Sequence, residues 1–342
     1  MLDTLKVHTQ YFTVKDRARV SVQPGLVNYE NGEQREVSLF KDDLGRDVYG
    51  SKAYVNTENY NLTIQPMGAG VELFLQTSLP KVVKDDNYSP LTNSETVQAI
   101  DAIGQDLKSR GVLVNLDACE LSRVDLFKNV VGDNDFMSYS PLFALLQSKR
   151  QNKRDYGTTF TWSNTQREIC VYDKLTEMQS RGVKVSGYPV NTMRFEYRLK
   201  NSRVCERALG FSTVNKLVNN LDDLQKKYKD ALSKSIFALG VEDVNILASQ
   251  DLQAWMQSYA STYGDTWFSR FLRDYGAYEL SRLASPEVVK IVMACVISDR
   301  FKLWRAIRFF EDAKRDFEMS ARVDEQKTLA DLYGELKQKV MG

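Results

Sequence analysis

The sequence predicts an α+β fold, with an antiparallel β-sheet and flanking helices in the first part of the chain and an all-helical region after it. Three observations carry this. Short β-type runs separated by Gly, Pro and Asn fill the first half, and one helical window near residue 100 interrupts them. From Thr213 the texture changes to long helical periodicity almost to the end. The change places a boundary near residue 208, giving a β-rich region 1–208 and a helical region 209–342. A chain of 342 residues is long enough for two packed domains.

The elements follow in order. Val71 to Gln76 is an early strand. A helix is expected from Asn93 to Arg110, with Asn93 as its N-cap and Val97, Ile100, Ile103 and Leu107 recurring at helical spacing. Strands are expected again at about Leu113–Leu116, Leu121–Phe127, Thr158–Trp162, Glu168–Lys174 and Met193–Lys200. Beyond the boundary, Ser285-Pro286 reads as a cap and first turn, with an apolar run from Val288 to Ile297 behind it. Phe268, Phe271 and Tyr275 read as core.

Composition narrows the class. Hydrophobic residues make up 43% and charged residues 27%, ordinary for a soluble globular protein. No apolar run approaches the roughly 18–20 residues that cross a bilayer, and Met1 to Lys6 lacks the order of a signal peptide, so a cytosolic protein is expected. Cys119, Cys170, Cys205 and Cys295 are far apart, which argues against a zinc knuckle or a disulfide framework. The net charge of +1 does not announce a nucleic-acid binder. Any such role falls to local clusters: Lys149, Arg150, Lys153 and Arg154, or Arg300, Lys302, Arg305 and Arg308.

Three strands carry polar faces. In Met193 to Lys200, alternation puts Met193, Phe195, Tyr197 and Leu199 on one face and Arg194, Glu196, Arg198 and Lys200 on the other. Arg123 and Asp125 share a face of their strand, and Tyr172 and Lys174 stand two apart on a third. One reading is a half-exposed sheet with a charged solvent face. The other gathers Asp125, Glu196, Tyr172 and Lys174 on one face suited to phosphodiester chemistry. Two carboxylates are hard donors for Mg²⁺ or Mn²⁺, and a lysine ammonium favours the phenolate of a neighbouring tyrosine and attracts phosphate.

Gly157 to Glu177 resembles the active-site segment of the filamentous-phage gene II replication initiators. A strand with Thr161-Trp162 and a nearby Asn164 is followed by a turn and a second strand, Glu168 to Tyr172-Asp173-Lys174, then Glu177. Plasmid Rep nicking proteins carry a similar Tyr-Asp-Lys-x-x-Glu pattern. Glu72 to Val83 resembles the family's strand leading into a Ser-x-Pro-Lys turn, Ser122-Arg123-Val124-Asp125 its Ser-Arg-Ile-Asp strand, and Arg194-Phe195-Glu196-Tyr197-Arg198 its Arg-Phe-Glu-x-Arg strand.

The resemblance covers roughly residues 70–210. It implies a rolling-circle initiator that nicks one strand at an origin. Tyr172 would become linked to the 5′-phosphate and free a 3′-hydroxyl primer, assisted by Lys174, with Glu177 a further acidic candidate. Asp125 and Glu196 would be ligands of Mg²⁺ or Mn²⁺. Arg123, Arg194, Arg198, Arg300 and Arg305 are the DNA-binding candidates. The implied partners are origin DNA, single-stranded or supercoiled, and a host helicase and polymerase, in a bacterial cytoplasm; a homodimer is compatible with this.

His8 is the single histidine, so a metal held by a His-hydrophobe-His pair is excluded and tyrosine recombinases are disfavoured. A second class stays open: a sequence-specific DNA-binding initiator or repressor without nicking activity. There Ser285 to Arg305 reads as two helices and a turn, with Arg300, Lys302 and Arg305 toward phosphates or bases.

Overall fold

Among the residues that the computed structural model describes (1–28, 33–68, 70–84, 86–241, 260–261, 263–271, 286–320 and 329–342), ten strands form one sheet. They are β1 (Leu2–Thr9), β2 (Ser21–Gln23), β3 (Lys52–Asn56), β4 (Tyr60–Met67), β5 (Gly70–Ser78), β6 (Glu120–Val131), β7 (Asn152–Asp155), β8 (Thr159–Ser163), β9 (Arg167–Asp173) and β10 (Thr192–Leu199). Their order is β7-β8-β9-β10-β6-β1-β5-β4-β3-β2. The pairs β1–β5, β5–β4, β4–β3, β3–β2 and β1–β6 are antiparallel. Gly68, at φ +59°, supplies the left-handed residue that the tight β4–β5 connection needs.

Among the described residues the α-helices are α1 (Leu79–Lys84), α2 (Asn93–Ser109), α3 (Phe136–Leu145), α4 (Lys174–Ser180), α5 (Ser202–Leu209), α6 (Val214–Val218), α7 (Leu221–Ser233), α8 (Pro286–Val296), α9 (Arg300–Ser320) and α10 (Leu329–Met341). The α+β class and the helical C-terminal region are as expected. None of the described helices is long and apolar enough to cross a membrane.

Two compact units divide the chain: Met1–Lys128 with Ser163–Ile169 and Glu196–Ala231, and Asn129–Trp162 with Cys170–Phe195 and Leu232–Gly342. Residue 208 lies inside α5, within the first unit. The core of that unit includes Leu5, Val7, Leu62, Ile64, Leu73, Leu75, Leu121 and Val124, with Ala99, Ile103 and Leu107 of α2. The second unit is built on aromatic rings. Phe143 touches Phe160 and Phe195, with centroids 5.4 and 6.1 Å away, and Phe195 leads through Phe237 to Tyr333 at 6.0 and 5.7 Å. Such ring pairs add about 0.5–1.5 kcal/mol each beyond their buried area.

Four local expectations change. The α2 cap is Thr92, not Asn93, because Thr92 and Glu95 form a reciprocal capping box. The expected turn at Ser78-Leu79-Pro80-Lys81 is the start of α1, where Pro80 removes an N–H that a first turn leaves unbonded anyway. The strand expected to run to Lys174 stops at Asp173, whose carboxylate accepts from the Leu175 and Thr176 amides and starts α4. Finally, half of the polar face of β10 is closed to solvent: Arg194 is 0% and Glu196 3% exposed, while Arg198 and Lys200 are partly exposed. Of the remaining readings, Phe268 and Phe271 are buried as core, while Ser285 and Tyr275 lie outside the described residues.

Candidate functional site

The predicted residues fall into two clusters, one in each unit. In the first unit, strand alternation puts the expected residues on shared faces, where they pair with one another. Arg123 and Asp125, two apart on β6, form a bidentate pair: Nε donates to Oδ1 at 2.9 Å and Nη2 to Oδ2 at 2.7 Å. Glu196 and Arg198, two apart on β10, pair through Nε and Oε2 at 2.8 Å. Arg198 also reaches Glu168 Oε1 on β9 at 2.6 Å and lies 4.0 Å from Asp125 Oδ2. Lys200 closes on the other Glu168 oxygen at 2.9 Å. The order β9-β10-β6 therefore lines three carboxylates against three cations.

Burial sets the electrostatics here. Asp125 is 2% exposed, and its removal from water pushes its pKa up to about 6 despite the Arg123 guanidinium. Burial raises Glu168 too, but Lys200 and Arg198 outweigh it and hold that carboxyl below its ordinary value. Arg123 is raised by its hydrogen bond to Asp125. Arg123 and Arg198, expected to meet DNA, are thus occupied by carboxylates.

Asp125 and Glu196 have the hard oxygen donors that Mg²⁺ or Mn²⁺ takes. In this arrangement they do not fit such an ion. Both Asp125 oxygens accept from Arg123 and Glu196 Oε2 accepts from Arg198. Among the described residues no group of three or more His, Cys, Asp or Glu side chains is arranged to hold a metal.

The second unit holds Tyr172, Lys174 and Glu177. The β8–β9 turn is fixed by Asn164, whose side chain accepts from the Gln166 and Arg167 amides. β9 then delivers Tyr172, 8% exposed, one residue before the Asp173 cap. Lys174 begins α4 instead of ending the strand and is fully buried, with Nζ 6.0 Å from the centroid of the Tyr172 ring. Glu177, one helical turn on, receives Lys174 Nζ at 2.7 Å and Arg181 Nε at 2.6 Å. Arg194, read from the sequence as a DNA contact, is buried in this unit and donates from Nε to Asn129 Oδ1 at 2.8 Å.

Glu168 and Arg181 are partners that sequence reasoning misses. Position 168 has the strand parity of 172, which is a usable signal. Arg181 stands i+4 from Glu177, but the helix that brings them together is not expected where a strand is read. His8, on β1, stacks on Phe74 with centroids 5.8 Å apart and lies 3.6 Å from Glu120, outside both clusters.

A buried ammonium beside a tyrosine suits work on phosphate esters, and the comparisons supply the family. Residues 59–257 match the model of a phage replication-associated protein family, built on the N-terminal part of the gene II protein. The match spans more than half of the chain, which belongs to this family of rolling-circle replication initiators. Comparison with curated proteins gives no significant match.

Proposed function

We propose that the protein nicks one strand of origin DNA with Tyr172 as nucleophile. The observation that carries this reading is a tyrosine at a strand end beside a fully buried lysine ammonium, in a family of replication initiators. A phenol has an ordinary pKa of about 10 and is a poor nucleophile when protonated. A cation near its ring lowers the free energy of the phenolate, and Glu177 and Arg181 hold that cation in place.

In the reaction the phenolate oxygen attacks phosphorus and the bond from phosphorus to the 3′-oxygen breaks. The products are a 5′-phosphotyrosine and a 3′-hydroxyl; the phenol proton leaves to solvent and the departing oxygen gains one. No water is consumed, so the phosphodiester energy is kept for strand transfer. The proposed cofactor is Mg²⁺ or Mn²⁺. Asp125 and Glu196 have the donor chemistry for it but not, while Arg123 and Arg198 hold them, the open coordination.

The experiment is incubation of the full chain with supercoiled replicon DNA and Mg²⁺ or Mn²⁺, followed by mapping of any nick. A single nick at the origin with an extendable 3′ end is expected. Tight origin binding with no nick under any divalent ion would favour the non-catalytic DNA-binding class.

A further inference from the structure

Helix α9 departs from the pattern of an ordinary amphipathic surface helix. Its inward side is Leu303, Ala306, Ile307 and Phe310, packed with Trp267, Phe268, Phe271, Val289 and Met293. The opposite side should be polar. It instead presents Phe301 and Trp304, 80% and 57% exposed, beside Arg305 and Arg308. Positions 301, 304, 305 and 308 follow i, i+3, i+4, i+7 spacing and share one face of the helix. The Arg308 guanidinium carbon stands 5.3 Å from the Trp304 ring centroid.

The charge on this segment has one sign. Residues 300–310 contain Arg300, Lys302, Arg305 and Arg308 and no acidic side chain. Lys302 pairs with Asp265 at 2.6 Å and Arg305 acts on the nearby Asp299 carboxylate, whereas no ion pair within 4.0 Å is formed by Arg300, Arg305 or Arg308 among the described residues. Two large rings left in water forfeit the free energy of burial, which a ligand with flat apolar faces would recover. Guanidinium groups beside those rings select a polyanion. An unstacked nucleic-acid strand meets both demands, offering a base face to each ring and a phosphate to each arginine. A duplex meets only the second, because its base faces are already stacked inside it.

We propose that Phe301, Trp304, Arg305 and Arg308 form a stacking platform for single-stranded DNA. The proposal rests on the family's work on DNA and not on the chemistry of Tyr172, so either reading can fail without the other. An initiator that opens a duplex must hold the separated strand, and this face is a grip that needs no particular sequence.

The test measures binding of the full chain to a labelled oligothymidine strand and to a duplex of the same length. Phe301→Ala and Trp304→Ala should each weaken strand binding on the order of ten- to hundredfold and change duplex binding little. Trp304→Phe should restore most of the loss, since any aromatic face stacks. Both side chains are exposed, so the melting temperature should not move, and nick formation on a saturating short origin strand should survive. Three outcomes would overturn the proposal. The alanine variants bind the strand like the wild type, they lose strand and duplex binding equally, or they turn a dimer into a monomer with DNA affinity unchanged.

Discussion

Replacing Lys174 by Met removes one charge from the side chain closest in role to the proposed nucleophile and keeps nearly its volume. A unit positive charge 6.0 Å from the Tyr172 ring centroid favours negative charge developing on that side chain by about 3 kcal/mol at an effective dielectric of about 20. Glu177, at 2.7 Å from the ammonium, offsets part of this, leaving about 1.5–2.5 kcal/mol. The variant should therefore cleave on the order of ten- to hundredfold more slowly at neutral pH. Glu177 stays paired with Arg181, so the fold should tolerate the change. Single-turnover cleavage of a labelled origin strand from about pH 6 to about pH 10, the range below the free phenol's pKa, reads the effect, with a thermal melt as control. A folded variant that cleaves at the wild-type rate would refute the reasoning.

Other perturbations have equally definite outcomes. Asp125→Asn and Glu196→Gln each change charge and hardly change shape; if Arg123 and Arg198 turn to phosphate when DNA binds and free the two carboxylates for Mg²⁺ or Mn²⁺, each variant should depress cleavage by orders of magnitude, and the wild type should lose activity in chelator and regain it with the ion. Wild-type rates in both variants would reduce the two carboxylates to structural ion-pair partners. The Asp125 carboxyl, with a pKa of about 6 when folded against 3.8 when free, holds its proton more tightly in the folded state. Its contribution to stability is therefore full below about pH 4 and lost as pH rises through about 6, by roughly 3 kcal/mol relative to Asp125→Asn. Denaturation midpoints of the two proteins at about pH 4 and about pH 7 give that difference, and equal differences at both would contradict it. Arg300→Ala with Arg305→Ala should flatten the salt dependence of DNA binding by about two in slope, read by titration at several salt concentrations.

Much of the site is legible because it is local. Alternation along β6 and β10 puts Arg123 beside Asp125 and Glu196 beside Arg198, which the structure shows; that they pair with each other, leaving neither the carboxylates open nor the arginines free, is not in the alternation. The family segment around Tyr172 is readable for the same reason. What escapes depends on which strands become neighbours. Glu168 joins Arg198 only because β9 lies beside β10, and no spacing within one strand carries that information. Arg194 reads as a surface cation because alternation assigns a face without saying what covers it. Lys174 reads as the end of a strand because Asp173, the residue that stops β9, also passes as a strand residue until its side chain is seen capping α4. Before residue 70 the chain carries no motif, yet β1 lies inside the sheet between β6 and β5, a place set by long-range pairing.

The central claim is that Tyr172 makes the covalent bond. The direct measurement is mass spectrometry of peptides from the full chain after incubation with single-stranded origin DNA and Mg²⁺ or Mn²⁺, followed by nuclease digestion. The account predicts a nucleotide phosphate on the peptide that contains Tyr172, and none in Tyr172→Phe although that variant still binds the strand. An adduct on another residue, or an efficient nick that leaves a free 5′-phosphate and no linked protein, would contradict it.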